Sequence, residues 1–149
     1  MSIEVVDVTG GEVLAAGPMT IRVIEDGSHT EHRLGIVEVT IPPRIDGPPQ
    51  HVHLQHDETF FVVSGEPTFT SAGEIVAARP GMLITAPLGT PHTFANPGDV
   101  PVVILCTITP DLYIDYLREL AALPRGALDP TNVAEIMSRY AIEVVPPAG

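Results

Sequence analysis

The chain has 149 residues and a formal net charge of −12, from 7 basic residues, all of them arginine, and 19 acidic ones. That length is typical of one domain, which can bury about 70% of its unfolded surface without a disulfide to hold it. The acidic balance disfavours nucleic acid as a partner, and the lack of lysine excludes Schiff-base chemistry. The sequence has neither an apolar run of membrane-spanning length nor a signal peptide, so we expect a cytoplasmic protein without membrane contact.

Chain breakers divide the sequence into short segments. The 16 prolines and 13 glycines argue against a helical bundle and favour strands joined by turns. The lone Cys106 cannot form an internal disulfide, and we expect it to be buried as a small apolar residue. So many short strands at regular spacing predict an all-β fold, an antiparallel barrel or double sheet. The predicted strands cover 12–16, 19–25, 33–41, 59–64, 68–71, 74–78, 82–85, 92–96 and 101–109.

After Pro110 the pattern changes to the three-and-four spacing of helices. Asp111 is predicted to cap a helix over 112–122, and Asp129 with Pro130 to begin a second one. We expect the apolar stripes of both helices to pack against the barrel rather than to bind a partner. Residues 142–145 are predicted to add a strand, on this chain or on a neighbouring one. The predicted organisation is a barrel over 1–110 and a C-terminal helical extension over 111–149, packed on the same domain.

Three histidines and one glutamate have the spacing of a metal site. His51 and His53 are two residues apart, so on a strand both imidazoles point to the same face. Glu58 has the opposite parity, and it reaches that face if the polar residues 55–57 turn or bulge the chain. His92 follows in a second segment rich in glycine and proline. Imidazole nitrogens with a carboxylate oxygen suit one divalent ion (Fe, Mn, Ni, Co or Zn), and the lack of thiolates disfavours a closed structural zinc site.

These two segments resemble, in order, the two signature motifs of the cupin superfamily. The first motif is matched by Gly47, His51, His53, Glu58 and Gly65. The second is matched by Gly81, Pro87, Gly89, His92 and Asn96. Gly47 stands closer to the first histidine than the motif has it. The resemblance implies a jelly-roll-like antiparallel β-barrel in which one divalent metal ion is held by the two motifs together.

Residues beside the ligands have predicted roles in the site. His56 either acts as an acid or base beside the metal or faces solvent at the turn. We favour the solvent-facing position, because the motif leaves this residue variable. Asp57 has the same two alternatives, and in the first it orients a ligand imidazole.

Strand parity adds residues to the barrel interior. These interior residues predict an apolar pocket with a few polar groups, suited to an aromatic or otherwise hydrophobic small molecule. The alternative is that their side chains only fill the barrel core. The predicted pocket residues are Gln50, Phe60, Val62, Phe94 and Asn96.

The whole chain, with two helical stripes after the barrel, is similar to small quercetinase-like cupins, the quercetin 2,3-dioxygenase-like proteins. That resemblance implies a metal-dependent dioxygenase in which Glu58, as catalytic base, takes a proton from an enolisable or phenolic substrate before dioxygen attacks it. Two other functions stay open: a non-redox metal enzyme (isomerase, decarboxylase or polyketide cyclase) and a module that binds a metal or a small molecule. Exposed sheet edges and strand-like terminal segments predict a homodimer.

Overall fold

Predicted and observed strands coincide over most of the chain. The computed structural model describes residues 2–124 and 126–146. The predicted all-β class is confirmed, with two short helices near the C-terminal end. The elements are β1 (Glu12–Ala16), β2 (Met19–Glu25), β3 (Gly35–Ile41), β4 (Ile45–Asp46), β5 (His51–His53), β6 (Asp57–Ser64), β7 (Thr68–Ser71), β8 (Glu74–Ala77), β9 (Leu83–Ala86), β10 (Thr93–Asn96), β11 (Val102–Thr109), α1 (Ile114–Ala121), α2 (Pro130–Ser138) and β12 (Ile142–Val144).

The strands form two antiparallel sheets and a separate pair. The larger sheet has the order β1-β2-β3-β11-β6-β9, and the smaller has the order β4-β10-β7-β8. β12 pairs with β5, and a bridge between His51 and His92 links β5 to the segment that leads into β10. Pairing of strands far apart in sequence, such as β3 with β11, is the connectivity of a jelly roll. The homodimer expected from exposed sheet edges stays a prediction.

β11 lies at the centre of the core and sets the direction of the residues on β6. It pairs with β3 on one side and with β6 on the other. Residues directly opposite one another share a face of the sheet. Glu58 is opposite Ile108, and Phe60 is opposite Cys106. The register therefore points the Glu58 carboxylate into the apolar interior, where Cys106 is buried as predicted.

Gly47 allows the chain before β5 to pass close to β10. A Cβ atom at this position would lie 2.0 Å from the carbonyl oxygen of Phe94, which no side chain tolerates. Beside it, the short strand β4 pairs Asp46 with Ala95 of β10. Sequence reasoning missed β4, because it lies between two proline pairs that are typical of a loop. The close approach brings His51 to the segment that carries His92.

The two helices differ in how they begin. α1 begins at Ile114, later than predicted, and its N-cap is Tyr113 without a side-chain cap, so the prediction that Asp111 caps this helix is wrong. Asp111 instead donates its N–H to the His32 carbonyl, and its carboxylate accepts from the Ile114 N–H at 3.3 Å. The start of α2 is confirmed: Asp129 accepts from the Asn132 N–H at 3.0 Å, and Pro130 is the first helical residue. No helix among the described residues is long and apolar enough to cross a membrane.

The C-terminal segment returns to the strand that carries two of the predicted ligands. β12 pairs with β5 of this same chain, with Ile142 opposite His53 and Val144 opposite His51. The N–H of Leu54 also donates to the carbonyl of Ala141 at 3.0 Å. Residues 147–149 of the predicted extension lie outside the described residues.

Candidate metal centre

β5 and the segment before β10 present imidazoles to one point in the barrel. Nδ1 of His51 donates to the Pro49 carbonyl, and Nδ1 of His92 donates to the Thr90 carbonyl, both at 2.8 Å. Because a carbonyl can only accept, these bonds place a proton on Nδ1 and turn Nε2 of each ring toward the cluster, where Nε2 of His92 lies 3.0 Å from the Glu58 carboxylate. The ring centroid of His51 lies 4.8 Å from that of His53 and 4.7 Å from that of His92.

Glu58 joins this cluster because the chain bends between β5 and β6. β5 ends at His53 and β6 begins at Asp57, so the residues between them reset the strand parity as expected. The Glu58 oxygens lie 3.3 Å from Nε2 of His53 and 3.0 Å from Nε2 of His92. Two donors at right angles, each about 2.1 Å from an ion, lie about 3.0 Å apart. The observed spacing therefore fits neighbouring ligands of one ion.

Unpartnered nitrogens also fit a metal ion. Both ring nitrogens of His53 are buried and have no hydrogen-bond partner among the described residues, and the same is true of His56. A buried polar atom without a partner costs about 1–3 kcal/mol. An ion coordinated at Nε2 would remove that cost for His53. The donor set of imidazoles and a carboxylate, without thiolate, suits a divalent first-row metal.

The interior environment also sets the protonation states that metal binding needs. Burial lowers the pKa of His51 to about 4 and lowers the pKa of His53 as well. Burial alone would raise the pKa of Glu58, but the imidazoles of His53, His56 and His92 outweigh it and hold that pKa well below its usual value. Burial alone would lower the pKa of His92, but the adjacent Glu58 carboxylate outweighs it, and the pKa of His92 is raised. At neutral pH two of the imidazoles are thus free to coordinate, and the carboxylate is ionised.

His56 lies inside the site, so the preference for a solvent-facing position is wrong. Its side chain is almost fully buried, with the residue 1% exposed. Nε2 lies 3.4 Å from Oε1 of Glu58, and the ring centroid lies 4.2 Å from that of His53. The reason is parity: His56 and Glu58 are two residues apart and point to the same side of the chain. That spacing in the sequence could have identified His56.

Asp57 faces away from the site. Its side chain is exposed, and Oδ1 accepts from the N–H of Leu88 at 2.8 Å. Asp57 therefore does not orient a ligand imidazole. Instead, it connects the segment after the first ligand pair to the loop that precedes His92.

A small cavity of about 80 Å³ lies beside the cluster. Of the predicted residues, His51, Glu58, Phe60 and Phe94 line it. His53 and His92 do not border this cavity, and His92 instead lines a second cavity of about 120 Å³ that shares Phe60 with the first.

Three predicted pocket residues lie elsewhere, and for each a competing contact explains the difference. Val62 is completely buried in the apolar core and borders neither cavity. Asn96 uses its Nδ2 to donate to the carbonyls of Ile41, Pro42 and Val100. Gln50 accepts from the N–H of Ala72 at 3.2 Å. Asn96 and Gln50 therefore stabilise loops rather than contact a ligand.

Two residues that were predicted only as apolar packing lie at the site. The ring of Tyr113 lies 5.1 Å from that of His53 and 5.4 Å from that of His56, and Tyr113 lines the cavity with Cys106. Burial raises the pKa of the Tyr113 phenol and the pKa of the Cys106 thiol well above their usual values. Both groups therefore stay protonated at neutral pH. The sequence pattern assigned Tyr113 to the apolar stripe of a helix, but it lies immediately before α1. Its role at the site could therefore not be read from that pattern.

Comparison with known proteins gives one family match, one curated relative and several solved structures of similar fold. The cupin domain family matches residues 37–108. Quercetin 2,3-dioxygenase of Bacillus subtilis (strain 168) is 24% identical over 120 residues, which cover 80% of this chain and 35% of that protein. The chain thus spans about a third of the length of this curated relative.

Solved structures share the fold at low identity. The structure of KdgF from Halomonas sp. has a TM-score of 0.65 at 19% identity, and covers 73% of this chain and 94% of its own. An RmlC-like cupin from Shewanella frigidimarina NCIMB 400 has a TM-score of 0.62 at 19% identity, and the match covers 73% of this chain and 92% of that one. The family match over residues 37–108, the jelly-roll strand order and the two ordered ligand motifs support the predicted resemblance to the cupin superfamily.

Proposed function

We propose that the chain binds one divalent transition-metal ion through His51, His53, Glu58 and His92, and that it is a dioxygenase of hydrophobic small molecules. The observation that carries the proposal is the placement of ligand atoms within 4.8 Å of one another in two overlapping groups, one of His51, His53 and His92 and one of His53, His56 and Glu58. Glu58 links the two groups, because one of its oxygens also lies 3.0 Å from Nε2 of His92. The match to quercetin 2,3-dioxygenase supports an oxygenase over other cupin activities.

The ion would supply Lewis acidity toward a substrate hydroxyl or enol oxygen and a site for dioxygen. Four protein ligands leave two positions on a six-coordinate ion. With the proposed ligand set, these two positions would be available to substrate and dioxygen.

Glu58 is the proposed catalytic base. It is the only carboxylate among the described residues that line the cavity. The surrounding imidazoles hold its pKa low despite burial, so the carboxylate is ionised. Because a low pKa also makes it a weak base, it would accept the proton of a substrate hydroxyl only where a bound ion makes that hydroxyl acidic. Tyr113 faces the same cavity as a neutral phenol, which can donate a hydrogen bond to a substrate oxygen. The apolar side chains of Phe60 and Phe94 exclude water around these groups.

Metal content and oxygen uptake test the proposal. The protein is purified without added metal, analysed for metal, and loaded in turn with Fe(II), Mn(II), Ni(II) and Co(II). Oxygen consumption is then measured with a panel of flavonols and phenols. We expect about one ion per chain and uptake that depends on substrate with at least one metal.

Two histidine variants separate the metal site from general effects. His53→Ala removes a proposed ligand, whereas His32→Ala removes an exposed histidine that contacts Asp111 outside the cluster. We expect the first variant to lose metal and uptake and the second to keep both. Full metal content in His53→Ala would refute the ligand assignment. No uptake under any condition would refute the dioxygenase, and product formed without oxygen would identify a non-redox enzyme.

A further inference from the structure

The cavity beside the metal centre is too small for a whole organic substrate. Its volume is about 80 Å³, whereas pockets that enclose a small organic molecule measure about 300–1,000 Å³. Only a group of a few atoms fits between His51, Glu58 and Tyr113. The rest of a larger ligand must therefore leave the barrel interior.

The cavity adjoins a larger groove on the outside of the barrel. This groove, of about 380 Å³, lies between the β1–β2 turn, the loop before β5, and both helices. Cavity and groove share lining residues, so the same side chains form the boundary between them. The shared residues are Ala16, Met19, Pro48, Tyr116 and Leu120. Together the two spaces have the size of an ordinary ligand pocket.

Two connections join the groove to the strand of the proposed ligands. Pro49 lines the groove, and its carbonyl accepts from Nδ1 of His51 at 2.8 Å. Val144 also lines the groove and stands opposite His51 in the β12–β5 pair. A molecule in the groove thus lies against residues that contact a proposed metal ligand directly.

The lining of the groove favours an apolar occupant without anionic groups. Leu128 and Val144 line it and are 44% and 48% exposed, so they present apolar surface that a ligand would cover. Among the described residues that line the groove, the charged ones are Asp46 and Asp129, and none is basic. Phosphate and carboxylate groups would find no counter-charge there.

We propose that this groove binds the apolar tail of an uncharged molecule whose small, oxygen-bearing head lies in the inner cavity at the metal centre. The inference rests on the proposed metal centre and adds a substrate class to it. The head has few atoms and metal-binding oxygens, and the tail is aliphatic or aromatic. Tyr116 and Leu120 contact the molecule where head and tail join.

The second cavity, of about 120 Å³, is the competing place for the tail. It includes Thr70, Ser71 and Glu74, so it offers polar groups that an apolar tail would leave without partners. Val76 lines this cavity and is 45% exposed, close to the 44% of Leu128 in the groove. These two residues provide a matched pair of substitutions.

A series of n-alkyl hydroxamic acids tests the tail site without turnover. The head chelates a divalent ion through two oxygens, and only the tail changes from butanohydroxamic to octanohydroxamic acid. Affinity is measured by titration calorimetry under nitrogen, with Co(II)-loaded and with chelator-treated protein. Each methylene that leaves water contributes up to about fourfold in affinity. We expect the octano acid to bind at least about tenfold more tightly than the butano acid.

Substitution then locates the tail. Leu128→Glu places a charge in the groove, and Val76→Glu places the same charge in the second cavity at matched exposure. We expect the gain with tail length to fall below about threefold in the first variant and to persist in the second. Thermal unfolding checks that both are folded, and Leu128→Ser is a milder alternative.

Other outcomes overturn the proposal or the function on which it rests. Affinity that is independent of tail length in the unaltered protein, or a gain lost only in Val76→Glu, refutes the tail site. If affinity still rises with tail length but is equal in Co(II)-loaded and chelator-treated protein, the metal centre is refuted and the tail remains assigned to the groove. If affinity rises with tail length but no substrate in the panel causes oxygen uptake, only the dioxygenase activity is refuted.

Discussion

Replacing His56 with alanine should weaken metal binding without abolishing it. Nε2 of His56 lies 3.4 Å from Oε1 of Glu58, and its ring lies against that of His53 with centroids 4.2 Å apart. The substitution therefore removes a contact from each of two proposed ligands. Loss of a residue that orients a metal ligand reduces metal affinity about 10–100-fold. We expect a decrease in this range, with about one ion per chain still bound at saturating metal.

Two further substitutions identify which contact is responsible. His56→Gln keeps a polar nitrogen that can approach Glu58, whereas His56→Phe keeps a ring against His53 without a nitrogen. Affinity is measured by competition for Zn(II) with a chromophoric chelator, and metal content by elemental analysis. His32→Ala is the control, because His32 is exposed and lies outside the cluster.

The three His56 variants can refute this reasoning in two ways. Affinities within about twofold of the unaltered protein in all three would show that His56 does not position the ligands. Loss of the ion from all three at saturating metal would make His56 a ligand itself, since its nitrogens are buried and unpartnered. Recovery of affinity by glutamine alone assigns the effect to the contact with Glu58.

Two further predictions concern acidic residues of β6. In metal-free protein the low pKa of Glu58 stabilises the fold above about pH 4.5, and this contribution is lost as the pH falls through the folded pKa. The raised pKa of its partner His92 stabilises the fold below about pH 6.5, and this contribution is lost as the pH rises through the folded pKa. Glu58→Gln should therefore destabilise chelator-treated protein more at about pH 5.5 than at about pH 8 in urea unfolding, and the reverse order would contradict the pairing. Asp57→Ala removes the acceptor of the Leu88 N–H and should lower the free energy of unfolding by about 0.5–1.5 kcal/mol with metal affinity unchanged. A tenfold loss of affinity would instead return Asp57 to the role of an imidazole support.

Short-range spacing in the sequence determines where the strands lie and which residues form the candidate ligand set. β1, β2 and β7 begin and end at the predicted residues, because alternation with period two and the glycine turns between strands are local properties. His51 and His53 reach one face for the same local reason. The coordination of a metal by these residues stays a prediction.

Contacts between distant segments decide the remaining features of the site. The bend after β5 is joined to the C-terminal segment, because the N–H of Leu54 in that bend donates to the carbonyl of Ala141. The pairing of β12 with β5 and the position of Tyr113 beside His53 likewise join parts of the chain that are far apart in sequence.

The groove depends most strongly on tertiary structure. It exists only where the β1–β2 turn, the loop before β5 and α2 meet. Each of these segments has an ordinary local pattern, and nothing in that pattern specifies its distance from the others. Packing of α1 on β1, and of α2 on α1 and β12, sets those distances, because the apolar faces of the two helices are buried in these contacts.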